Sequence, residues 1–254
     1  MMKKKKILGV IPARLESSRL RRKPLIKIHG IELFAHVFLR AKYCKDLDEI
    51  IIATDSKIVA DLANKYGFPF ILTSKSHKNP SERLCEVSQK IDSDIYVLIN
   101  GDEPLVRPQD ISLSINTLLN SSSDAAMLLV PLKKRNSLSD FKVVTDINDN
   151  VMYISRADIP FPYDGKFDHF KKGYHVMSYY KNTLKIYSKL KISKQENMEQ
   201  HEYLRLIESG VKIKTKFLNY ECFSVDTRND LIWVKNKLKS DSLFKKYQNF
   251  QKKY

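Results

Sequence analysis

Short apolar runs alternate with stretches of helical periodicity through the first hundred residues, and this alternation narrows the fold more than any other feature of the chain. Residues 7–11, 50–53, 68–72 and 95–99 read as strands, with helical patterns over 33–42, 58–66 and 84–91 between them. The runs of Ile, Leu and Val are nearly continuous, as expected for strands covered on both faces. Such a βαβ series predicts an α/β fold built on a mostly parallel sheet with helices on both sides. Each strand ends in a polar segment: Pro12-Ala13-Arg14, Thr54-Asp55, Thr73-Ser74 and Asn100-Gly101-Asp102-Glu103-Pro104. In an open α/β sheet these four loops fall along one edge, where ligands bind.

The rhythm changes after an apolar run over 125–130. Two strands, 141–145 and 151–154, flank Asp146-Ile147-Asn148-Asp149-Asn150 and read as a hairpin. A proline-containing, aromatic-rich stretch over 159–180 looks like an insertion. Helical periodicity returns over 181–190 and over 196–209, the latter closing at Gly210 as a C-cap. A strand over 211–217 and a helix over 228–238 complete the pattern. A length of 254 residues with 43% hydrophobic content fits one large domain or two small ones. We expect a single domain over 1–254, with an insertion at about 140–195 and a basic tail over 240–254.

The chain carries 45 Lys and Arg against 29 Asp and Glu, a net charge of +16. This balance suits nucleic acid, an anionic membrane surface or anionic small molecules, and does not choose among them. Much of the excess lies at the ends, in Lys3 to Lys6 and from Lys235 onward, where a solubilising role is the simplest expectation. No helix-turn-helix, zinc-finger or RNP pattern supports nucleic-acid binding. Cys44, Cys85 and Cys222 are widely spaced and form no C-x-x-C motif, which argues against a disulfide framework or zinc site and for a reducing cytoplasm. The N-terminal lysines and apolar run imitate a signal peptide, but Pro12 and Arg14 break the run. No apolar stretch approaches the roughly 20 residues needed to cross a bilayer, so we expect a soluble protein.

Two groups of residues bear chemistry. Arg14, Arg19 and Lys23 recur at spacings of five and four just beyond the first strand, with Ser17 and Ser18 between them. Such a loop is either solvated basic surface or a grip on a triphosphate. Asp102 is presented just past the strand over 95–99, and Gly101 permits close backbone approach. Asp226 also follows a short apolar segment. Two carboxylates from separate strands are suited to share Mg²⁺, which takes oxygen ligands and bridges to substrate phosphates; an Asp-rich turn is the bland alternative.

The runs I-P-A-R-x-x-S-S-R-L-x-x-K-P-L, A-T-D, T-S-x-x-H, E-R-x-x-E-V, G-D-E-P-L, Y-x-S-R-x-x-I-P, E-x-L-R and V-D-T-x-x-D-L occur in this order between residues 7 and 237. In this the chain resembles the CMP-KDO synthetases, the 3-deoxy-manno-octulosonate cytidylyltransferases. The resemblance implies a Rossmann-like nucleotidyltransferase with a mostly parallel mixed sheet flanked by helices and a small dimerisation insertion. It implies CMP transfer from CTP to a 2-keto-3-deoxy sugar acid, with Mg²⁺ as cofactor, a homodimer as the assembly and surface-polysaccharide synthesis as the setting. It assigns Arg14, Ser17, Arg19 and Lys23 to the triphosphate, with Arg14, Arg19, Lys23 and Asp102 catalytic, and Asp102 and Asp226 to the metal. Glu82, Arg83 and Asn100 would contact the rest of the CTP; Arg156, His175, Tyr179 and Glu202 would hold the sugar acid.

Several positions depart from the family pattern. Arg21-Arg22 replaces Pro-Gly, Pro80 stands in the cytidine segment, Asn100 replaces Gln, Met177 replaces Gly and Tyr203 replaces Gln. The last two keep a modified KDO or a nonulosonic acid open as the substrate. A basic nucleic-acid-binding protein is the alternative from another class.

Overall fold

β1 (Ile7–Pro12) is the first strand, with four buried apolar side chains and a buried glycine followed by a half-buried proline. A computed structural model describes residues 4–16 and 20–254. A 3-10 turn over Lys23–Leu25 leads to a small antiparallel hairpin, β2 (Lys27–Ile28) and β3 (Ile31–Glu32), and then to α1 (Leu33–Ala41). β4 (Glu49–Thr54), α2 (Lys57–Lys65), β5 (Phe70–Leu72), α3 (Pro80–Lys90), β6 (Ile95–Ile99) and α4 (Pro108–Leu119) follow. β1 pairs in parallel with β4 on one side and β6 on the other, and β4 pairs in parallel with β5. The order β6-β1-β4-β5 brings the C-terminal ends of all four strands to one edge.

Helix starts in this half follow local chemistry. Ser56 caps α2 by accepting from the Val59 N–H. Asn79 caps α3 by accepting from the Glu82 N–H, with Pro80 at the first helical position, where its missing N–H costs nothing. The helix expected over 84–91 therefore begins four residues earlier, and Pro80 becomes a helix starter rather than a distortion of a loop. Helix α4 has no counterpart in the sequence reading, although Ile111, Ile115 and Leu118 mark one buried stripe at helical spacing.

Residues 113–222 form a second compact unit; residues 1–112 and 223–254 form the first. In the second unit, β7 (Ala125–Leu132) is followed by the hairpin β8 (Lys142–Thr145) and β9 (Val151–Ser155), as expected, and then by β10 (Phe170–Tyr180). β10 pairs antiparallel with β7 and shifts register between Tyr174 and Met177, so that two residues bulge out of the ladder. α5 (Lys181–Tyr187) follows. Where one helix over 196–209 is expected, two form: α6 (Lys194–Glu199), opened by a Ser193–Glu196 capping box, and α7 (Tyr203–Glu208). Gln200 breaks them apart by adopting a left-handed φ of 51°, without a glycine to mark the turn. β11 (Ile213–Phe217) then pairs in parallel with β7.

The chain returns to the first unit with α8 (Arg228–Ser240), capped by Thr227 and Asp230, and α9 (Ser242–Tyr247), capped by Asp241. A 3-10 turn over Phe250–Lys253 ends it. This corrects the reading of the tail as merely solubilising. Lys245 and Lys246 are exposed, but Phe244 and Tyr247 are buried, and the Phe250 ring stacks on Phe68 at 5.4 Å. The tail is also tied by polar contacts. The Arg40 guanidinium on α1, buried, donates to both Asp241 oxygens at 2.8 and 3.3 Å and to the carbonyls of Leu105 and Val106.

Candidate active site

A cleft opens at the C-terminal edge of the parallel strands in the first unit, lined among others by Pro12, Ala13 and Arg14 after β1 and by Asn100, Gly101 and Asp102 after β6. The approach of these two loops depends on Gly101. A Cβ there would stand 2.5 Å from the Pro12 carbonyl oxygen, a backbone atom with no room to retreat.

Lys23 lies at the centre of the charged groups. Its Nζ donates to Asp102 Oδ2 at 2.7 Å, to Asp226 Oδ1 at 3.1 Å and to the Val225 carbonyl at 3.0 Å, with only 15% of the side chain exposed. Burial alone would lower the Lys23 pKa, but attraction to Asp102 and Asp226 outweighs it and raises the value. The two aspartates are held in register by backbone as well: the Val225 N–H donates to the Asp102 carbonyl at 2.9 Å. One residue further out on each strand of this contact, Ser224 Oγ donates to the buried Glu103 carboxylate. Two carboxylates 124 residues apart in sequence thus converge on a single positive charge.

This convergence tests whether the residues suit a divalent cation. A hard ion needs carboxylate oxygens aimed at one point, and an ammonium already stands at such a point between Asp102 and Asp226. The donor set fits Mg²⁺.

Arg14 lines the cleft and is exposed, so its guanidinium can meet an anion. Ser17, Ser18 and Arg19 lie outside the described residues. Arg22 adopts a left-handed φ of 54° just before the 3-10 turn that carries Lys23. The glycine missing from the family pattern is therefore missing at a position whose backbone conformation favours glycine.

The nucleoside-side residues sit around α3. Glu82 belongs to the cap of that helix: its Oε2 accepts from the Lys78 N–H at 2.8 Å. Arg83, 3% exposed, donates to Asp55 Oδ2 at 2.8 Å and to the Thr73 hydroxyl while still lining the cleft. It ties together the polar segments after β4 and β5. Asn100 also lines the cleft, and its buried Oδ1 has no hydrogen-bond partner among the described residues, an acceptor left for a ligand. His77 and Asn79 join the lining without having been assigned from the sequence. The N-cap pattern Asn79-Pro80 is the signal that would have placed Asn79 there.

The four residues assigned to the sugar acid all lie in the second unit. Arg156 follows β9 and grips the α6–α7 turn, donating to the carbonyls of Glu199 at 2.8 Å and Gln200 at 3.1 Å, and to Leu138 at 2.8 Å. His175 sits in the β10 bulge, half-buried, with its ring 5.5 Å from Phe141. Glu202 is the N-cap residue of α7. Arg205 reaches back to Glu196 through two contacts of 2.6 Å. Tyr179 is 1% exposed, and its hydroxyl donates to Met177 Sδ at 3.0 Å. Met177 and Tyr203, expected to reshape the sugar pocket, are both buried and pack as a set with Tyr179. Burial, reinforced by Tyr179, raises the Tyr203 pKa well above its ordinary value.

Two further groups of this unit escape the sequence reading. Lys142 is fully buried, its Nζ donating to the carbonyls of Ser137, Asp140 and Arg156. His201, 6% exposed, lies 4.1 Å from the Phe141 ring and 4.9 Å from Tyr203, with no partner for Nδ1 among the described residues. Neither belongs to a spacing motif.

Among the described residues no helix is long and apolar enough to cross a membrane. The profile of a family described as Cytidylyltransferase matches residues 8–213. The 3-deoxy-manno-octulosonate cytidylyltransferase of Fusobacterium nucleatum is 36% identical over 247 residues, covering 94% of this chain and 99% of its own. The enzyme of the same name from Koribacter versatilis is 35% identical over 240 residues, covering 92% and 91%. A solved structure of CMP:2-keto-3-deoxy-manno-octonic acid synthetase complexed with CTP superposes with a TM-score of 0.87 at 32% identity, over 92% of this chain and 98% of that one.

Proposed function

The chain belongs to the 3-deoxy-manno-octulosonate cytidylyltransferases, and from that premise we propose that it transfers CMP from CTP to the anomeric hydroxyl of 3-deoxy-manno-octulosonate, releasing pyrophosphate. The observation that carries this reading is the convergence of Lys23, Asp102 and Asp226 beside a cleft lined by Arg14, Arg83 and Asn100. A nonulosonic acid is not favoured, because the relatives that cover nearly the whole chain are named for the octulosonate. A nucleic-acid-binding role has no support from the comparisons.

In this reaction the hydroxyl attacks the α-phosphate in line, and the protein's task is positioning and charge neutralisation. Arg14 and Lys23 draw the triphosphate into the cleft, with Ser17 and Arg19 assigned to the same task. Asn100, Arg83 and Glu82 set the nucleoside, the first through its unmet acceptor. Asp102 and Asp226 would hold Mg²⁺, which when bound supplies neutralisation of phosphate charge. Arg156, His175, Glu202 and Tyr179 are assigned to the sugar acid, whose carboxylate calls for a cation and whose hydroxyls call for mixed donors and acceptors. The three widely spaced cysteines, Cys44, Cys85 and Cys222, and the use of CTP support a cytoplasmic setting.

The test is a pyrophosphate-release assay. Release should require CTP, Mg²⁺ and 3-deoxy-manno-octulosonate together, and Asp102→Asn or Asp226→Asn should lower the rate by about a hundredfold or more. Undiminished turnover in either variant removes that residue from the metal site, and no release with any sugar acid sinks the reaction.

A further inference from the structure

Lys23 holds the place that the metal reading gives to Mg²⁺. Its Nζ lies 2.7 Å from Asp102 Oδ2 and 3.1 Å from Asp226 Oδ1, closer than a hydrated cation between the same carboxylates would allow it to remain. An ammonium and a divalent ion cannot both take these oxygens, since like charges at that separation repel. Lys23 is also poorly placed to leave unaided. It is 15% exposed and makes a third bond to the Val225 carbonyl, so withdrawal alone breaks three hydrogen bonds and strands a charge.

We propose that Lys23 is an interlock between nucleotide and metal: it occupies the aspartate pair in the nucleotide-free enzyme and vacates it only when a triphosphate offers the ammonium a second anionic partner. The inference rests on the reading of Asp102 and Asp226 as metal ligands, and adds to it an order of events. The bare protein disfavours the metal, the triphosphate pulls Lys23 off the carboxylates, and the freed carboxylates accept the metal as Lys23 settles on phosphate. By linkage, whatever the nucleotide does for metal affinity the metal does for nucleotide affinity.

The test titrates Mn²⁺ into the full-length, nucleotide-free protein and follows free Mn²⁺ by electron paramagnetic resonance, alongside Lys23→Met, Lys23→Gln and the double variant Lys23→Met/Asp102→Asn. Thermal unfolding verifies that each variant is folded; two replacements of different polarity guard against one failing. The interlock predicts that both single variants bind Mn²⁺ about tenfold or more tightly than the wild type, and that the double variant loses this gain. Equal Mn²⁺ affinity in wild type and both single variants overturns the interlock and leaves the metal site standing if Asp102→Asn still abolishes binding. Tighter binding that persists in the double variant also overturns it, because the metal then sits elsewhere. The two failures differ from loss of the reaction itself, which the pyrophosphate assay on wild type reports.

Discussion

His36 and His201 are both held neutral by burial, and their opposite bonding makes them informative. His36 donates from Nε2 to the Ile28 carbonyl and accepts at Nδ1 from the Tyr247 hydroxyl, and burial lowers its pKa to about 4. His201 has no partner at Nδ1 among the described residues; burial, with the nearby charges of Arg156 and His175, lowers its pKa to about 3. Both values lie below the ordinary 6.5, so the unfolded chain takes up these protons first as pH falls. Their contribution to stability is therefore complete above pH 6.5 and is lost progressively as pH drops toward the folded values, by about 1.4 kcal/mol per pH unit for each group. Replacing His201 with Leu should remove its share of that slope between pH 6.5 and 5, and should stabilise the protein at pH 7 by about 1 kcal/mol by deleting an unsatisfied buried polar atom. Urea unfolding across this range checks it, and an unchanged slope argues against a neutral, unpartnered His201. At this scale the sequence speaks unevenly. Asp102, Asp226 and Lys23 stood out by residue type and position beyond apolar runs, whereas the unmet needs of His201 and Asn100 depend on neighbours far along the chain.

Among the elements, the C-terminal helices show how charge can hide packing. Lysines dominate the composition of α8 and α9, yet Phe244 and Tyr247 are buried, and Asp241 at the α9 cap is a principal partner of buried Arg40. Deleting residues 241–254 removes that partner, at about 3–5 kcal/mol for a buried pair broken on one side, and exposes two aromatic faces at about 1.5–3 kcal/mol each. The sum rivals the whole stability of a typical domain. The truncated chain should therefore lose its cooperative thermal transition, and retention of the full-length Tm would contradict the role given to Asp241 and the two rings. The strands β1, β4 and β6 were legible because burial on both faces makes them continuous apolar runs. β10 was not, because its bulge at His175 and the paired Lys171-Lys172 interrupt any simple alternation. The α6–α7 break was hidden too, since Gln200 takes a conformation that glycine usually signals.

For the whole molecule, the surface of the second unit bears on assembly. Met152 is 58% exposed, Phe161 72% and Tyr163 95%, all within the segment expected to join two copies. We propose that two copies meet through residues 140–195, where such large exposed side chains would be covered. Light scattering or sedimentation should return twice the chain mass of 29.6 kDa, and a single-chain mass at micromolar concentration speaks against this surface as the interface. The α/β class was readable because the βαβ rhythm is local; the division at residues 113 and 222 was not, because it depends on which distant segments touch. That division has a consequence for the chain as it leaves the ribosome. Residues 113–222 are contiguous and can gather their contacts as soon as they emerge, but the unit that begins with β1 is interrupted and must wait for residues 223–254. Asp226, Asp241 and the rings that cover α1 are all made after the second unit. The candidate nucleotide site is thus begun by β1 and completed only once residues 223–254 have been made, so a product that stops short of Asp226 carries its basic loop without the second aspartate.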